Sequence, residues 1–431
     1  MNLWWSLVDH PTFERDSLDQ NWDVAIVGGG FSGLWTAHHL LKSEPDLKIA
    51  IFEMGQIGSG ASGRNGGWVS GLYPKSDEAL AKNFSAAQIS DLHSQLEIAI
   101  DEIGDFAERE GIECGFKKGG TLTIATNGGQ LHRLRKDLGF QGRQETISQV
   151  AMNSAMGSTY SPHCAAVNPA ALIAGLANSL AKRGVAIFEN HLAMVTDKKE
   201  LYINGKRISA NFVVLAVEAY LAQPRQQIPI YSLIVATEPL HENLLSQIGL
   251  KNRQTFSEAT HLVTYAQLTG DNRIVVGGRG APYSWGSRRR DRLESRGKDH
   301  ERLRQMTIKW FPVLREINFT HAWGGAVGIT RDWSPYVRIE NNFGQMGGYV
   351  GDGMTLSYLA AAAMSDGALR KVSPRTKLPF VQWTSKKWEA EPWRWLSVNA
   401  AIRATFLADR EEGLTQKPSL IIKALSPLLG R

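Results

Sequence analysis

Four apolar residues in a row, 24–27 of the stretch "DVAIVGGGFSGLWTAHHLL", run into a glycine turn, and apolar positions then recur at helical spacing after Gly33. A short unbroken apolar run bounded by turn residues predicts a strand buried on both faces, and the spacing after it predicts an amphipathic helix. A second run, "LKIAIFE", ends at Glu53 and predicts another strand. Strand, glycine turn, helix and strand make a βαβ unit, so the sheet is parallel here. The pattern stops after Glu53 and resumes much later. "NPAALIAGLANSLAKRG" (168–184) predicts a helix capped by Asn168, with Pro169 in its first position and Gly184 past its end. A strand "VAIFE", a hairpin around "INGK" and a buried strand over 212–217 follow. "FGQMGGYVGDGMTLSYLAAAAMSDGAL" is again strand, glycine-rich turn and helix. Alternating segments such as "GGTLTIAT" (119–126) and "RIVVGG" (273–278) predict antiparallel strands.

The predicted fold is therefore α/β. A Rossmann-like dinucleotide domain is built from separated segments, 20–90, 160–222 and 320–375. Segments 91–159 and 223–319 form an α+β substrate domain with an antiparallel sheet. Residues 376–431, rich in Trp and Lys and then helical, form a C-terminal tail packed on the body. At 431 residues the chain exceeds the size of a single core, which agrees with two packed domains. The apolar content of 43% and charged content of 21% are those of an ordinary soluble protein. A net charge of +6 is modest for this length and decides little about partners. With two cysteines, Cys114 and Cys164, a disulfide framework and a four-cysteine metal site are excluded, and no metal is expected. The start "MNLWWSLVDHPTFERD" has no basic flank before an apolar core, and no run approaches the ~20 apolar residues of a membrane span. A cytoplasmic protein is expected. Peripheral contact with the inner membrane face through Trp4, Trp5 or the tail "KPSLIIKALSPLLGR" is the weaker alternative to packing of these segments on the body.

Gly28, Gly30 and Gly33 match G-x-G-x-x-G in the setting that gives it meaning, after a strand and opening a helix. Gly28 permits the tight turn, Gly30 lets the backbone approach a pyrophosphate, and Gly33 lets helix and strand pack closely. The anion then rests on the helix N-terminus, at Phe31 and Ser32. Glu53 ends the second strand, 20 residues after Gly33, where its carboxylate can accept from ribose hydroxyls. NAD and FAD both suit this motif. The next stretch, "GQIGSGASGRNGGW", holds six glycines in fourteen residues and favours FAD, because a second amide-rich loop can wrap the pyrophosphate and reach a flavin.

Together, "DVAIVGGGFSGL", Glu53, "GSGASGRNGG", "NPAALIAGLA", "WGGAVGITRDWSPY" and "GGYVGDGMTLSYLA" resemble the D-amino-acid-oxidase-type flavoproteins, in order from about residue 22 to about 365. That group includes glycine, sarcosine, D-amino-acid and γ-glutamylputrescine oxidases. The resemblance implies FAD, and oxidation of a C–N bond: a neutral primary or secondary amine gives hydride to flavin N5, and the imine hydrolyses. It implies cofactor contacts at Gly28, Gly30, Phe31, Ser32, Gly33, Glu53, Met54, Gly60, Ala61, Ser62, Arg64, Asn65, Gly66 and Gly67. A flavin-facing turn is implied at Gly351, Asp352, Gly353, Met354 and Thr355, with a helix starting near Thr355 aimed at the pyrimidine end.

The chain also departs from the family. Glycine-oxidase-like relatives carry an arginine that clamps the substrate carboxylate; aligning Trp323, Thr330, Asp332, Pro335 and Tyr336 puts Val327 there. An aliphatic side chain offers no fork to a carboxylate, so a small α-amino acid is disfavoured. "GASGRNGG" with "WGG" is similar to the γ-glutamylputrescine oxidases, which favours a polyamine derivative or a longer amino compound. Arg279 or Arg331 could still take an acidic group, although a structural role is the commoner one for such arginines. Trp68, Tyr265, Trp285, Trp323 and Tyr349 are candidates for an aromatic box around an amine; Tyr349, Trp68 and Tyr265 are the expected catalytic residues. Some relatives hold flavin covalently, but no Cys follows Cys164 and no His lies between His39 and His93, so non-covalent FAD is expected. Glu218 stands where relatives have a small or amide residue. His38, His39 and the two thiols are expected to be structural. The acceptor is oxygen or a quinone or carrier. Alternatives are an α-amino-acid or 2-hydroxy-acid dehydrogenase and, less favoured, a tRNA-modifying flavoprotein resting on "SRRRDRLESRGKDHERLR" (287–304). There Asp291, Glu294, Asp299 and Glu301 interrupt the basic residues as on a charged helix face, so no nucleic-acid partner is expected.

Overall fold

The strand Trp22–Val27 is paired in parallel on both sides, by Ile49–Phe52 and by Ala210–Leu215. Its residues 24–27 are all buried, as a central strand covered on both faces requires. In this computed structural model, which describes residues 2–13, 18, 21–221, 223 and 225–429, the sheet has six strands. Ala186–Phe188 closes one edge, and the antiparallel pair Tyr336–Glu340 and Phe343–Gly347 closes the other. Residues 20 and 222, expected as segment ends, and the last two residues of the tail lie outside the described residues.

One face of this sheet packs Val24 and Ile26 against the helices Phe31–Ser43, Ala86–Arg109, Pro169–Lys182 and Gly353–Ala368. The other face packs Ala25, Val27 and Phe52 under a three-stranded antiparallel sheet of Ala193–Val195, Leu201–Ile203 and Lys206–Ile208. The hairpin of that small sheet turns on Asn204 and Gly205, both with φ in the left-handed region. On the glycine-loop helix, His38 lies edge-on to Phe106 and His39 against Tyr358. Burial lowers both pKa values, that of His38 to about 3, so the two rings pack as neutral core groups.

The second sheet has eight strands, from Phe319–Thr330 through Gln227–Thr237, Ile274–Arg279 and Thr264–Leu268 to Thr255–Glu258, Thr121–Ala125, Gly157–Ser161 and Phe140–Gly142. All neighbours are antiparallel except Thr121–Ala125 beside Thr255–Glu258, two strands that no hairpin joins and whose direction no turn dictates. Side chains alternate across it. Leu233, Val235 and Ala266 face a core with the helix Gly297–Trp310, whereas Ser232, Ile234 and Tyr265 face the first domain.

The observed partition corrects two expected boundaries. Strand Phe319–Thr330, expected from residue 320 in the dinucleotide domain, pairs with Gln227–Thr237 along its length and belongs to the second sheet. Residues 91–109, expected in the second domain, are most of the helix Ala86–Arg109; Leu92, Leu96, Ile100 and Phe106 share the core of Trp35 and Tyr358. Trp4 is buried, T-shaped to Trp323, and donates Nε1–H to Asn65 O (2.8 Å), while Trp5 stacks on His10. The N-terminal tryptophans are therefore part of the body. No helix among the described residues is long and apolar enough to cross a membrane.

Candidate active site

A cavity of about 970 Å³ lies between the two sheets, at the upper end of the size range of ligand pockets. Gly28, Gly30, Phe31 and Ser32 line it where the first strand gives way to its helix. Gly28 has φ +111, a conformation that side chains resist. A Cβ on Gly30 would stand 2.7 Å from Ser62 Oγ, and one on Gly33 would be driven into Gly28 O. No side chain of Gly30 caps the helix, and its first turn carries no acid, so the positive end of the dipole is open to an anion. Phe31 N–H donates to Ser62 Oγ (2.9 Å), which stitches the second glycine loop to the first.

Glu53 accepts from Gly29 N (2.7 Å) at Oε2 and from Gly55 N (2.9 Å) at Oε1. Both oxygens thus brace the loops and retain lone pairs toward the cavity that Glu53 and Met54 line. Asn65 organises the second loop: its Nδ2 donates to Ser62 O (2.7 Å) and reaches Met354 Sδ (3.3 Å), and its Oδ1 accepts from Gly67 N (2.8 Å). Met354 belongs to the third glycine turn, so one amide side chain joins two cofactor loops.

At the far end the cavity is lined by Trp68, Tyr73, Tyr265, Val327, Trp333 and Arg279, beside Gly351, Asp352 and Gly353. Tyr265 shares a hydrogen bond with Ser232 Oγ (2.8 Å), and burial pushes its phenol up to about 12, so it stays protonated. Tyr349 hydroxyl bonds Ser32 Oγ (2.8 Å) and is likewise held protonated by burial. Burial raises the Asp352 carboxyl to about 6, against the opposing charge of Arg279.

Residues 23–366 match the DAO family, FAD dependent oxidoreductases. The chain belongs to this family. It is 28% identical over 368 residues to the γ-glutamylputrescine oxidoreductase of Escherichia coli (strain K12), covering 80% of this chain and 83% of that one. It is 22% identical to glycine oxidase of Geobacillus kaustophilus over 84% of this chain and 97% of that enzyme. The crystal structure of the latter superposes with a TM-score of 0.67 over 82% of this chain and 96% of its own, at 21% identity, which shows a common fold.

As a DAO-family FAD-dependent oxidoreductase, the chain has a cavity that fits the cofactor: a helix N-terminus with no acid in its first turn, three glycine turns and a carboxylate line it. Of the expected contacts, Gly33, Gly67 and Thr355 do not line the cavity. Gly33 serves helix–strand packing, Gly67 lets Gln267 and Val167 approach its backbone, and Thr355 is buried inside the helix, which begins two residues earlier than expected, at Gly353. The Asp352 side chain does not cap that helix. Arg64 lines the cavity, but its guanidinium is bound to Glu294 (2.6 Å) and Gly324 O (3.3 Å).

The aromatic box is smaller than expected on one side and larger on the other. Trp323 donates to Arg64 O (2.9 Å) inside a separate cluster with Trp4 and Leu3, and Trp285 is half exposed beside Trp395; neither lines the cavity. Arg331 pairs with Glu389 (3.0 Å) over Trp388, away from the cavity. Trp333 and Tyr73 were not foreseen. Trp333, with φ +60, follows the long strand inside the "TRDWSPY" motif, where its place beside the motif's aligned residues was the available signal; Tyr73 follows the second glycine loop without any periodic signal. Glu218, φ +41, is a structural clamp: its carboxylate accepts from Gly328 N (2.7 Å) and Tyr349 N (3.3 Å), tying the second sheet to the third turn. In the segment 287–304, Arg296 pairs with Asp299, Arg304 pairs with Glu301, and Arg302 donates to Arg279 O, so these charges serve the helix and its packing.

Proposed function

We propose that this chain oxidises the C–N bond of a primary or secondary amine, a polyamine derivative or longer amino compound, with FAD held non-covalently. The observation that carries this reading is the makeup of the substrate end: Trp68, Tyr73, Tyr265 and Trp333 with the aliphatic Val327. Aromatic faces hold an ammonium by cation–π attraction and give its alkyl chain apolar surface. Gly28, Gly30, Phe31 and Ser32 would hold the pyrophosphate, Glu53 and Met54 the adenosine side, and Gly60, Ala61, Ser62, Asn65 and Gly66 with Gly351, Asp352, Gly353 and Met354 the flavin. Gly33, Gly67 and Thr355 act through packing. When bound, the flavin supplies two-electron acceptance, for which no side chain here is equipped.

The three aromatic side chains first expected to be catalytic take different parts. Trp68 and Tyr265 wall the substrate, their rings 6.3 Å apart and edge to face, and Trp68 is fixed by donating Nε1–H to Ala266 O (3.2 Å). Tyr349, bonded to Ser32, orients the cofactor side. A 2-hydroxy acid would need a general base for its hydroxyl. The cavity's histidine is His191, on the opposite side with residues 192–197, which disfavours that substrate class.

Turnover with an amine and an artificial dye acceptor is expected to yield aldehyde or keto product and the released amine or ammonia in equal amounts. Turnover confined to hydroxy acids would remove the reading. Flavin is expected in the supernatant after acid precipitation, because no cysteine lines the cavity and the histidine that does, His191, donates its backbone N–H to Glu53 O on the adenosine side. Flavin in the pellet would contradict non-covalent binding.

A further inference from the structure

We propose that the outer face of the helix Trp393–Thr415 is a docking surface for a bilayer containing anionic lipids, on which the helix lies flat. The helix has 23 residues and is about 34 Å long. From Trp393, steps of three, four or seven residues lead through Leu396, Arg403, Leu407 and Arg410 to Leu414, so these side chains share one face. All are exposed, Trp393 by 69%, Leu407 by 55% and Leu414 by 77%. The polarity is inverted relative to a helix that merely covers a domain: Arg394 and Glu412 are buried and the leucines face outward. Beside the stripe, the exposed rings of Trp395 and Trp285 lie 6.4 Å apart. Tryptophan favours the boundary between water and acyl chains, and a helix with an apolar stripe flanked by basic residues lies in that boundary.

The charges select the kind of surface. Arg403 and Arg410 are exposed, and among the described residues neither has an ion-pair partner. The acids of the same helix are all claimed elsewhere. Glu412 accepts from Arg133 and His261, Asp409 from the His261 and Leu262 amides, and Glu411 from Ser419 Oγ and the Leu420 and Ile421 amides. The stripe therefore carries two unanswered positive charges among apolar side chains. A second copy packed in register, or antiparallel about the middle of the stripe, would set Arg403 against Arg403, and like charges oppose that pairing. Anionic head groups supply the opposite sign, and each arginine near them strengthens binding. On the opposite face, Val398 and Ile402 share a cluster with Val327, Trp333 and Val350 of the cavity wall. The docked helix would thus lie between the bilayer and the substrate end.

The test sediments the full-length FAD-loaded protein with vesicles of phosphatidylcholine alone, or of equal parts phosphatidylcholine and phosphatidylglycerol. Binding to the mixed vesicles is expected to exceed that to neutral ones and to fall as salt is raised. Arg403→Gln with Arg410→Gln is expected to bind the mixed vesicles about 30-fold more weakly. Trp393→Ser with Leu407→Ser is expected to weaken binding to both kinds of vesicle by about tenfold or more. All four side chains are exposed, so both variants should keep the flavin absorbance and unfolding temperature of the parent. Lys42→Gln with Lys48→Gln removes the same charge from exposed sites of the dinucleotide domain and is expected to bind as the parent does. The proposal is overturned if the parent stays in the supernatant with mixed vesicles, or if the three double variants bind alike. It is also overturned by a dimer in analytical ultracentrifugation that Trp393→Ser with Leu407→Ser dissociates, because a second copy would then hold the stripe. None of these readouts involves turnover, so the amine reading stands or falls separately.

Discussion

Gly33→Ala is expected to purify colourless, with its affinity for added FAD lowered by about 100-fold or more as the phosphate leaves its helix-terminal donors. The new Cβ would collide with Gly28 O and stand 3.1 Å from Ile26 Cγ2. Both neighbours belong to the strand–turn unit, so relief requires the helix Phe31–Ser43 to move off the sheet. Its N-terminus, the anion site, moves with it. A global folding defect would mimic this result, and a second variant separates the two. In Gly30→Ala the clash is with Ser62 Oγ at 2.7 Å, the end of a short side chain. Gly30→Ala combined with Ser62→Ala removes that clash and should give native circular dichroism, yet bind FAD more weakly than Ser62→Ala alone, which already lacks the bond from Phe31 N–H, because the Cβ occupies the approach of the pyrophosphate. A yellow double variant with parental affinity would contradict the placement of the phosphate at Gly30.

Glu412→Ala should be the most destabilising single change in the C-terminal segment, by about 3 kcal/mol or more, since it leaves a positive charge and buried donors unpaired. Glu412 lies in the helix Trp393–Thr415, and its side chain is fully buried. Its Oε1 accepts from Arg133, from His261 Nε2 (3.0 Å) and from Ser419 N (3.0 Å). One turn earlier, Asp409 accepts from His261 N (2.7 Å) and Leu262 N (3.1 Å). Burial opposes ionisation of Glu412, but the bonds from His261, Arg133 and Ser419 prevail and hold its pKa at about 2, below the ordinary 4.5. A depressed carboxyl contributes stability that is complete above the ordinary value and is lost as pH falls toward the depressed one. The gap in unfolding temperature between parent and Glu412→Ala should therefore be constant above pH 4.5 and narrow from there toward pH 2. Calorimetry across that range checks it, and a gap that does not narrow would contradict the assigned cluster. The segment His261–Leu262 leads directly to Val263, Thr264 and Tyr265 of the cavity wall, so the tail braces the substrate end as well.

What could be recognised in the sequence was local. The glycine loop, its helix and Glu53 lie within about thirty residues of chain, and their spacing carries its own physical reason. The third turn was legible for the same reason, although its helix start was misplaced by two residues. Partners brought together by tertiary packing were not legible. Arg64 stands in a cofactor loop, but Glu294, 230 positions away, claims its guanidinium. Trp323 and Trp285 carry the same aromatic chemistry as Trp333, and only the alternation of the long strand and the exposure of the 285 loop decide which ring meets the cavity. Residues 320–330 read as a lead into the dinucleotide fold because the following motif belongs there; the pairing with Gln227–Thr237 that claims them is a long-range choice. For Glu218, the departure from relatives was visible, whereas its role as a clamp needed the positions of Gly328 and Tyr349.

The most direct measurement is anaerobic reduction of the purified yellow protein by a panel of putrescine, γ-glutamylputrescine, sarcosine, glycine, D-alanine, aminoethylphosphonate and 2-hydroxyglutarate. Bleaching of the flavin by amines with no α-carboxylate, with glycine and D-alanine slow, is the predicted result, and readmitting air then separates an oxidase from a dehydrogenase. Bleaching by α-amino acids or by 2-hydroxyglutarate alone would contradict the account.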